Sequence, residues 1–486
     1  MDLSRRSLLL AAGTALGSKA VAASGDAAAL AEAMKAVRDA VPKAASDPAR
    51  PVYHFHPPAQ WHNDPNGTLF YKGWHHLFYQ FNPYGSEWGH MHWGHARSRD
   101  LIGWEHLPIA LAPSKDKGEE HVFSGGAILG PDGRPRVFYT SIGNRPPEQW
   151  LAEPLDDDLI AWKKSPANPV LSLQSHGPLV VNEWRDPFPF REAGVDYMVC
   201  GGNLRPSGGQ GAVQLYRAEN AVMTAWKHLG PVFIHPDRAI WNIECPNLFR
   251  LGNKWVLLLS PEGPTQYFVG ELDLKQPRFL PERQGILDPG KSYASNISVD
   301  PAGRTLLWLW GKTDTPRDKG WNSVMALPRV LSLSDIGDLR QSPLAEITGL
   351  REAVRETPDI TLADGSRAVA SGDCLDFECV IDVAAPATAG IRVRGAEILF
   401  DPKPGTLRVG GVTGFAGAGK RVKLRVLLDK RVVEVYANDG AAAIFQTVDA
   451  SNGPLDVEIF ARGQAAFRSL RVWKMKPAPM DPGPFS

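Results

Sequence analysis

Residues 61–67 read Trp61-His62-Asn63-Asp64-Pro65-Asn66-Gly67, and the apolar run Thr68-Leu69-Phe70-Tyr71 follows at once. Asp-Pro-Asn-Gly is a turn sequence, because proline presets φ and Asn-Gly accepts a positive φ. Taken alone, the segment predicts a hairpin turn with an N-capping aspartate. A pattern that recurs down the chain gives Asp64 a second interpretation, as a functional carboxylate.

The recurring pattern has a period near 60 residues between residues 54 and 340. In each unit a polar residue precedes an x-Gly turn by eight or nine positions, and a strand-like apolar run follows the turn. The polar residues are Asp64, Ser124, Asp186, Glu244 and Ser295. Such a period predicts an all-β fold with five sheets arranged radially, a five-bladed β-propeller.

The first strand of each propeller blade lines the central axis, so we expect the five polar side chains to converge on one funnel. Hydrogen bonding within the blades is the alternative role for Ser124 and Ser295. That alternative is weaker for Asp64, Asp186 and Glu244, because burying carboxylates without a function is costly.

The two ends of the chain have a different character from the repeats. Arg5-Arg6, a short apolar run and the small-x-small site at 20–22 predict a twin-arginine signal peptide over residues 1–22 and a periplasmic or secreted protein, with a Sec signal as the weaker alternative. Residues 23–50 form a leader with a short helix that Pro42 is expected to limit. We assign the propeller to residues 51–345, a β-sandwich to 346–478 and a tail to 479–486.

Composition excludes several classes of partner. The chain has 486 residues, with 53 basic and 53 acidic side chains and no basic patch, so we expect no nucleic-acid partner. The apolar run of the signal is too short to span a bilayer, and we expect no membrane span. Cys374 and Cys379 would point to opposite faces of one strand, so a disulfide between them is not expected.

Carboxylates in an aromatic funnel suit glycoside hydrolysis, in which one carboxyl group donates a proton and another is ionised. The apolar neighbours of Glu244 in sequence (Ile243, Cys245 and nearby Trp241) favour its protonated form. Asn63 and turn amides beside Asp64 favour the ionised form.

Asp186 follows Arg185 directly, and we expect this cation to keep its carboxyl group ionised. An ionised carboxylate there suits a residue that grips sugar hydroxyls.

The sequence resembles the glycoside hydrolase family 32 β-fructofuranosidases: the invertases, inulinases, levanases and fructan exohydrolases. Trp61–Gly67 resembles the family's W-x-N-D-P-N-G, residues 185–187 its R-D-P and residues 244–245 its E-C. The resemblance implies a propeller followed by a β-sandwich. It also implies Asp64 as nucleophile, Asp186 as transition-state stabiliser and Glu244 as acid/base.

The resemblance further implies retaining release of terminal β-D-fructofuranosyl units from sucrose or the fructans inulin and levan. Substrate-binding positions are then expected at Trp61, Asn63, Gln80, Trp88, Phe123, Ser124, Arg185, Tyr293 and Trp310. His62 departs from the methionine usual in the family and puts the leaving-group preference in question. The motifs require no cofactor or metal, and His90-x-His92-x-x-His95 does not put its three histidines on one strand face.

Three other functions stay open at this level. One is an inverting arabinanase- or xylosidase-like hydrolase, which the Asn-Asp-Pro-Asn-Gly and Glu-Cys motifs disfavour. Another is a non-catalytic carbohydrate-binding propeller, which the presence of all three carboxylates disfavours. The third is fructosyl transfer through the same covalent intermediate, which sequence separates poorly from hydrolysis.

Overall fold

A computed structural model describes residues 25–205, 209–450 and 455–486, and the predicted signal peptide lies outside these ranges. The described chain contains one α-helix and otherwise consists of β-strands, short 3₁₀ turns and loops. The all-β class predicted from the repeats is therefore confirmed. Across the described ranges, no helix has both the length and the apolar character needed to cross a membrane.

The leader helix α1 spans Gly25–Ala45 and packs on the main core through Ala33, Val37 and Ala44, all fully buried. The expectation that Pro42 limits the helix is wrong, since three more helical residues follow it. A proline removes one intrahelical hydrogen bond, but burial of Ala44 against the core holds the last turn.

Residues 60–343 form antiparallel sheets whose strands are mostly consecutive in sequence. The strands of the first two sheets are β1 (Gln60–Tyr71), β2 (Trp74–Asn82), β3 (His92–Ser98), β4 (Trp104–Leu111), β5 (His121–Leu129), β6 (Pro135–Gly143), β7 (Arg145–Pro154) and β8 (Trp162–Lys164). Those of the next two are β9 (Val180–Glu192), β10 (Val195–Arg205), β11 (Gln210–Ala218), β12 (Trp226–Ile234), β13 (Glu244–Leu251), β14 (Lys254–Ser260), β15 (Thr265–Asp273) and β16 (Arg278–Asp288). Then come β17 (Ser292–Val299), β18 (Thr305–Gly311), β19 (Trp321–Asn322), β20 (Val324–Met325), β21 (Arg329–Leu333) and β22 (Leu339–Pro343).

The first strands of these sheets pack side by side in a closed ring. Strand β1 contacts β5, β5 contacts β9, β9 contacts β13, β13 contacts β17, and β17 returns to β1. The short strand β19, which lies between β18 and β20 in sequence, pairs in parallel with β1 and opposes Gln60 to Trp321. Each of the five recurring polar residues lies on one of these first strands.

The Asp-Pro-Asn-Gly segment does not form the expected turn. It lies inside β1, which pairs with β2 on both sides of the segment, and the pairing shifts register between His62 and Pro65 and again after Asn66. Gly67 adopts a φ of 50°, and a Cβ there would lie only 3.1 Å from the Phe78 ring. Because the flanking residues pair with the same strand, the irregular backbone bulges instead of reversing direction.

Two further sheets pack face to face after residue 350. Their strands are β23 (Arg351–Thr357), β24 (Ile360–Leu362), β25 (Gly365–Ser371), β26 (Cys374–Val383), β27 (Thr388–Val393), β28 (Ala396–Asp401), β29 (Thr406–Val409), β30 (Val412–Phe415), β31 (Arg421–Asp429), β32 (Val432–Ala437), β33 (Ala442–Thr447), β34 (Asp456–Arg462) and β35 (Ala465–Met475). A separate apolar core lies between the two sheets. The final strand, β36 (Met480–Asp481), pairs in parallel with β4, so the expected tail is ordered against the first sheet. All four cysteines are free thiols.

A buried ionic network joins the ring of sheets to the sandwich. His54 Nδ1 lies 2.9 Å from Asp429 Oδ2, and its Nε2 lies 3.1 Å from Glu434 Oε1. Arg329 Nη2 lies 2.8 Å from Asp288 Oδ2 and 3.2 Å from Glu434 Oε2. Burial disfavours the charged imidazole, but the hydrogen bonds and charges of the two carboxylates outweigh it and raise the pKa of His54 to about 9.

Candidate active site

A cavity of about 230 Å³ opens where the first strands meet. It is lined by Asn63, Asp64, Gln80, Trp88, Phe123, Arg185, Asp186, Glu244, Tyr293 and Trp310. The structure thus brings together most of the residues predicted for the site. Trp61 and Ser124 lie behind the lining, where they hold lining residues in place.

Asp64 is fixed by side-chain donors on three strands. Ser124 Oγ donates to Asp64 Oδ2 at 2.5 Å, and Asn63 Nδ2 donates to Oδ1 at 3.0 Å. Gln80 Nε2 in turn donates to Ser124 Oγ at 2.7 Å, and Trp61 Nε1 donates to Asn63 Oδ1 at 2.8 Å. Burial raises the pKa of Asp64, while the donors Ser124 and Asn63 oppose the rise.

Asp186 is buried and held in an unusual backbone conformation, with a φ of 60°. Its N–H donates to Thr140 Oγ1 at 2.9 Å, and its Oδ2 accepts the N–H of Cys245 at 2.9 Å. Burial raises its pKa to about 7, because the opposing effect of Arg185 is too small to cancel it. The expectation that Arg185 keeps this carboxyl group ionised is therefore wrong.

Glu244 is surrounded by polar donors, not by the apolar neighbours inferred from the sequence. Arg185 Nη2 donates to its Oε1, and Tyr293 Oη donates to its Oε2 at 2.7 Å. The residue before it, Ile243, faces the core, while Trp241 is largely exposed and bonds elsewhere. The expected apolar environment is wrong because residues of other strands, Arg185 on β9 and Tyr293 on β17, supply the contacts of this carboxylate.

The thiol of Cys245 lies between the carboxyl groups of Asp64 and Asp186. Its Sγ lies 3.6 Å from Asp64 Oδ2 and 3.6 Å from Asp186 Oδ2. Burial raises the pKa of its thiol well above the usual range, so it is a neutral neighbour of both carboxyl groups. The sequence pattern indicated Cys245 as part of the Glu-Cys motif and as an apolar neighbour of Glu244, but not as a contact of Asp64 and Asp186.

The rim of the cavity is aromatic. Trp88 is 53% exposed, and its ring centroid lies 6.1 Å from that of Phe123. On the other side, Tyr293 and Trp310 meet edge to face at 6.4 Å. The exposed face of Trp88 is of the kind that packs against a sugar ring.

His62 is fully buried, with its ring 5.8 Å from that of Tyr79, and it does not line the cavity. Burial lowers its pKa to about 3, so the ring is neutral. Its side chain therefore acts on the cavity only through packing.

The histidines upstream are engaged with protein groups. His95 Nε2 lies 3.0 Å from His76 Nδ1, and His92 Nδ1 lies 2.5 Å from the carbonyl of His90. In the part of the chain that the structure describes, no group of three or more His, Cys, Asp or Glu residues is placed to hold a metal ion.

Two family models match the chain in succession. The glycosyl hydrolases family 32 N-terminal domain matches residues 54–343, and the family 32 C-terminal model matches residues 344–474. The chain belongs to glycoside hydrolase family 32. The resemblance inferred from the three motifs is confirmed, and the protein is an enzyme of this hydrolase family.

Relatives and solved structures agree with this membership. Beta-fructofuranosidase 1 from Zea mays is 35% identical over 406 residues, which cover 72% of this chain but 59% of the maize protein. Sucrose-6-phosphate hydrolase from Zymomonas mobilis is 30% identical over 485 residues, covering 88% of this chain and 92% of the relative. The structure of fructan 1-exohydrolase IIa from Cichorium intybus in complex with 1-kestose matches with a TM-score of 0.78 and 25% identity, covering 89% and 98% of the two chains. The propeller-plus-sandwich fold of the family applies to this chain.

Proposed function

We propose that this enzyme is a retaining β-fructofuranosidase that releases terminal β-D-fructofuranosyl units from sucrose and fructans. The observation that carries the proposal is the meeting of Asp64, Asp186 and Glu244 in one small aromatic-rimmed cavity. Two proteins similar to this chain act on or bind fructosyl sugars: the maize relative is a β-fructofuranosidase, and the Cichorium intybus exohydrolase was solved in complex with 1-kestose.

In the proposed mechanism Asp64 attacks the anomeric carbon while Glu244 protonates the leaving oxygen. Water then cleaves the fructosyl-enzyme with Glu244 acting as base. Ser124 and Asn63 point donors at Asp64 and fix the orientation of the attacking oxygens. Tyr293 and Arg185 hold the two oxygens of Glu244.

Three carboxyl groups share one cavity, so they titrate together. Because the raised pKa of Asp186 is about 7, the group retains a proton below neutral pH. Asp186 then binds sugar hydroxyls in a contact that strengthens in the transition state.

The cavity also supports attack on chain ends. Its volume of about 230 Å³ is below the roughly 300–1,000 Å³ typical of ligand pockets. Such a cavity admits one terminal sugar more easily than the middle of a chain.

We assign the five sheets within residues 51–345 as five propeller blades, and the sheets of residues 346–478 as one sandwich domain. We also propose export by the twin-arginine route, on the strength of Arg5-Arg6. A variant with both arginines replaced by lysine should stay in the cytoplasm in active form, and undiminished export would contradict the route.

Time-resolved product analysis tests the function. The purified enzyme is incubated with sucrose, inulin and levan, and products are separated at early times. Free fructose as the first product of at least one substrate supports the proposal. Early oligosaccharides without fructose would contradict chain-end attack, fructosylated sugars in place of fructose would indicate transfer, and no product from any substrate would overturn the proposal. Asp64→Asn, which preserves shape, should be inactive on every substrate.

A further inference from the structure

A second cavity of about 590 Å³ adjoins the catalytic one, and Glu244 and Tyr293 line both. Its remaining walls come from residues 262–264, 290–292, 312 and 314. The second cavity therefore lies on the Glu244 side of the carboxylate group. Because the acid/base residue must reach the leaving oxygen, this is the side on which a leaving group would sit.

Lys312 is the distinctive side chain of this second cavity. Its ammonium lies 4.3 Å from the centroid of the Tyr293 ring and 4.8 Å from that of Trp310. The side chain is half-buried, and among the described residues no carboxylate lies within the 4.0 Å of an ion pair with it. Burial lowers the pKa of Lys312, while the charges of Asp64 and Glu244 oppose this effect.

The other lysine of the cavity shows a different arrangement. Lys291 Nζ lies 2.8 Å from Asp314 Oδ2 and 2.9 Å from Thr447 Oγ1, so two of its three donors are engaged. The ammonium of Lys312 also has three donors; it lies over two aromatic rings, and among the described residues it has no hydrogen-bond acceptor as partner. Because Lys312 lines the cavity, its donors are available to a ligand that accepts hydrogen bonds.

We propose that the second cavity binds the leaving sugar and that Lys312 determines specificity there by donating hydrogen bonds to the hydroxyls of that sugar. This inference rests on the proposed function, since it takes Glu244 as the acid/base residue. Cation–π attraction to the rings of Tyr293 and Trp310 holds the ammonium of Lys312 at this place in the cavity.

The charges of the cavity favour an uncharged leaving sugar. The positive charges of Lys291 and Lys312 are balanced in number by the carboxylates of Glu262 and Asp314, and Glu244 adds a third carboxylate to the lining. Phosphate sites need a surplus of positive charge, and the carboxylates of this cavity leave none. We therefore expect sucrose to be a better substrate than sucrose with a phosphate on its glucosyl unit.

The test compares two substrates that share the fructosyl unit. Cleavage of sucrose releases glucose as the leaving group. Cleavage of methyl β-D-fructofuranoside releases methanol, which is too small to reach Lys312. In Lys312→Met, which keeps the stem length, the ratio of kcat/KM for sucrose to that for the methyl glycoside should fall roughly 10-fold or more, the worth of one charge-assisted hydrogen bond. Lys312→Arg should recover part of the ratio.

Lys254→Met is the matched control, because Lys254 is ion-paired on β14 with Glu271 and Glu282, outside both cavities. It should leave the ratio unchanged. If wild type releases fructose from both substrates and Lys312→Met leaves the ratio unchanged, the role of Lys312 is refuted while the proposed function stands. If wild type cleaves neither substrate, the proposed function itself fails. A higher kcat/KM for the phosphorylated sucrose in wild type would overturn the preference for an uncharged sugar.

Discussion

Ser124 allows the ionisation of Asp64 to be perturbed without touching the substrate. Its hydroxyl donates to Asp64 Oδ2 at 2.5 Å, accepts from Gln80 at 2.7 Å, and is 2% exposed. Ser124→Ala removes the shortest hydrogen bond to the Asp64 carboxylate and leaves those from Asn63 and Cys245 in place. The variant should therefore shift the pKa of Asp64 further upward.

The size of this shift follows from the strength of the bond. A hydrogen bond to a charged group contributes about 1.5–3 kcal/mol, and one pKa unit corresponds to about 1.36 kcal/mol. The pKa of Asp64 should rise by about 1–2 units. Because a nucleophile must be ionised, activity is present above this pKa, and the acidic limb of kcat/KM should move to higher pH by about 1–2 units.

The assay is the pH profile of kcat/KM on sucrose from acidic to neutral pH, with Ser295→Ala as the control. Ser295 lies at the same repeat position on β17, is 2% exposed, and donates to Asn247 Oδ1 at 2.6 Å without touching a carboxylate. Both variants lose a buried hydrogen bond, but only Ser124→Ala should move the acidic limb. An unmoved limb in Ser124→Ala, or an equal shift in both variants, would refute the reasoning.

Three further predictions concern the buried network and the carboxylates. His54→Gln should lower the free energy of unfolding by about 3 kcal/mol, because the pKa of His54 is raised from 6.5 to about 9 in the folded protein. This contribution is complete below pH 6.5 and is lost as the pH rises through 9. Denaturant unfolding at several pH values should show that dependence in wild type but not in the variant. Asp186→Asn should lower kcat by about 10²-fold or more with little change in KM, and a rise in KM alone would contradict a transition-state role. Glu244→Ala should lower kcat/KM on sucrose by about 10²–10⁴-fold but far less on fructosyl fluoride, whose leaving group needs no proton; equal losses on both would remove Glu244 from the acid role.

Predictions based on the repeat period were the most dependable. Asp64, Ser124, Asp186, Glu244 and Ser295 were aligned by their distance from an x-Gly turn, and each lies on the first strand of its sheet. Repetition at a fixed spacing reports backbone position, because every unit must make the same set of strand pairings.

Predictions based on immediate sequence neighbours were less successful. Ile243 precedes Glu244 but faces the core, whereas Arg185, from another sheet, contacts the carboxylate. Asp186 lies directly after Arg185, yet burial decides its pKa. Neither the pairing partner nor the depth of burial is visible in a single strand.

Lys312 was missed for a similar reason. Only the folded chain shows that its ammonium lies over the rings of Tyr293 and Trp310 and faces the cavity of Glu244. A lysine two residues after a tryptophan has no distinguishing signature in sequence.

The configuration of the first-formed fructose tests the central claim most directly. In a double displacement through Asp64, two inversions at the anomeric carbon restore the starting configuration. NMR spectra recorded during the first turnovers on sucrose, before the free sugar equilibrates, should show β-D-fructofuranose. Initial α-D-fructofuranose would mean a single displacement by water and would contradict the assignment of Asp64 as nucleophile.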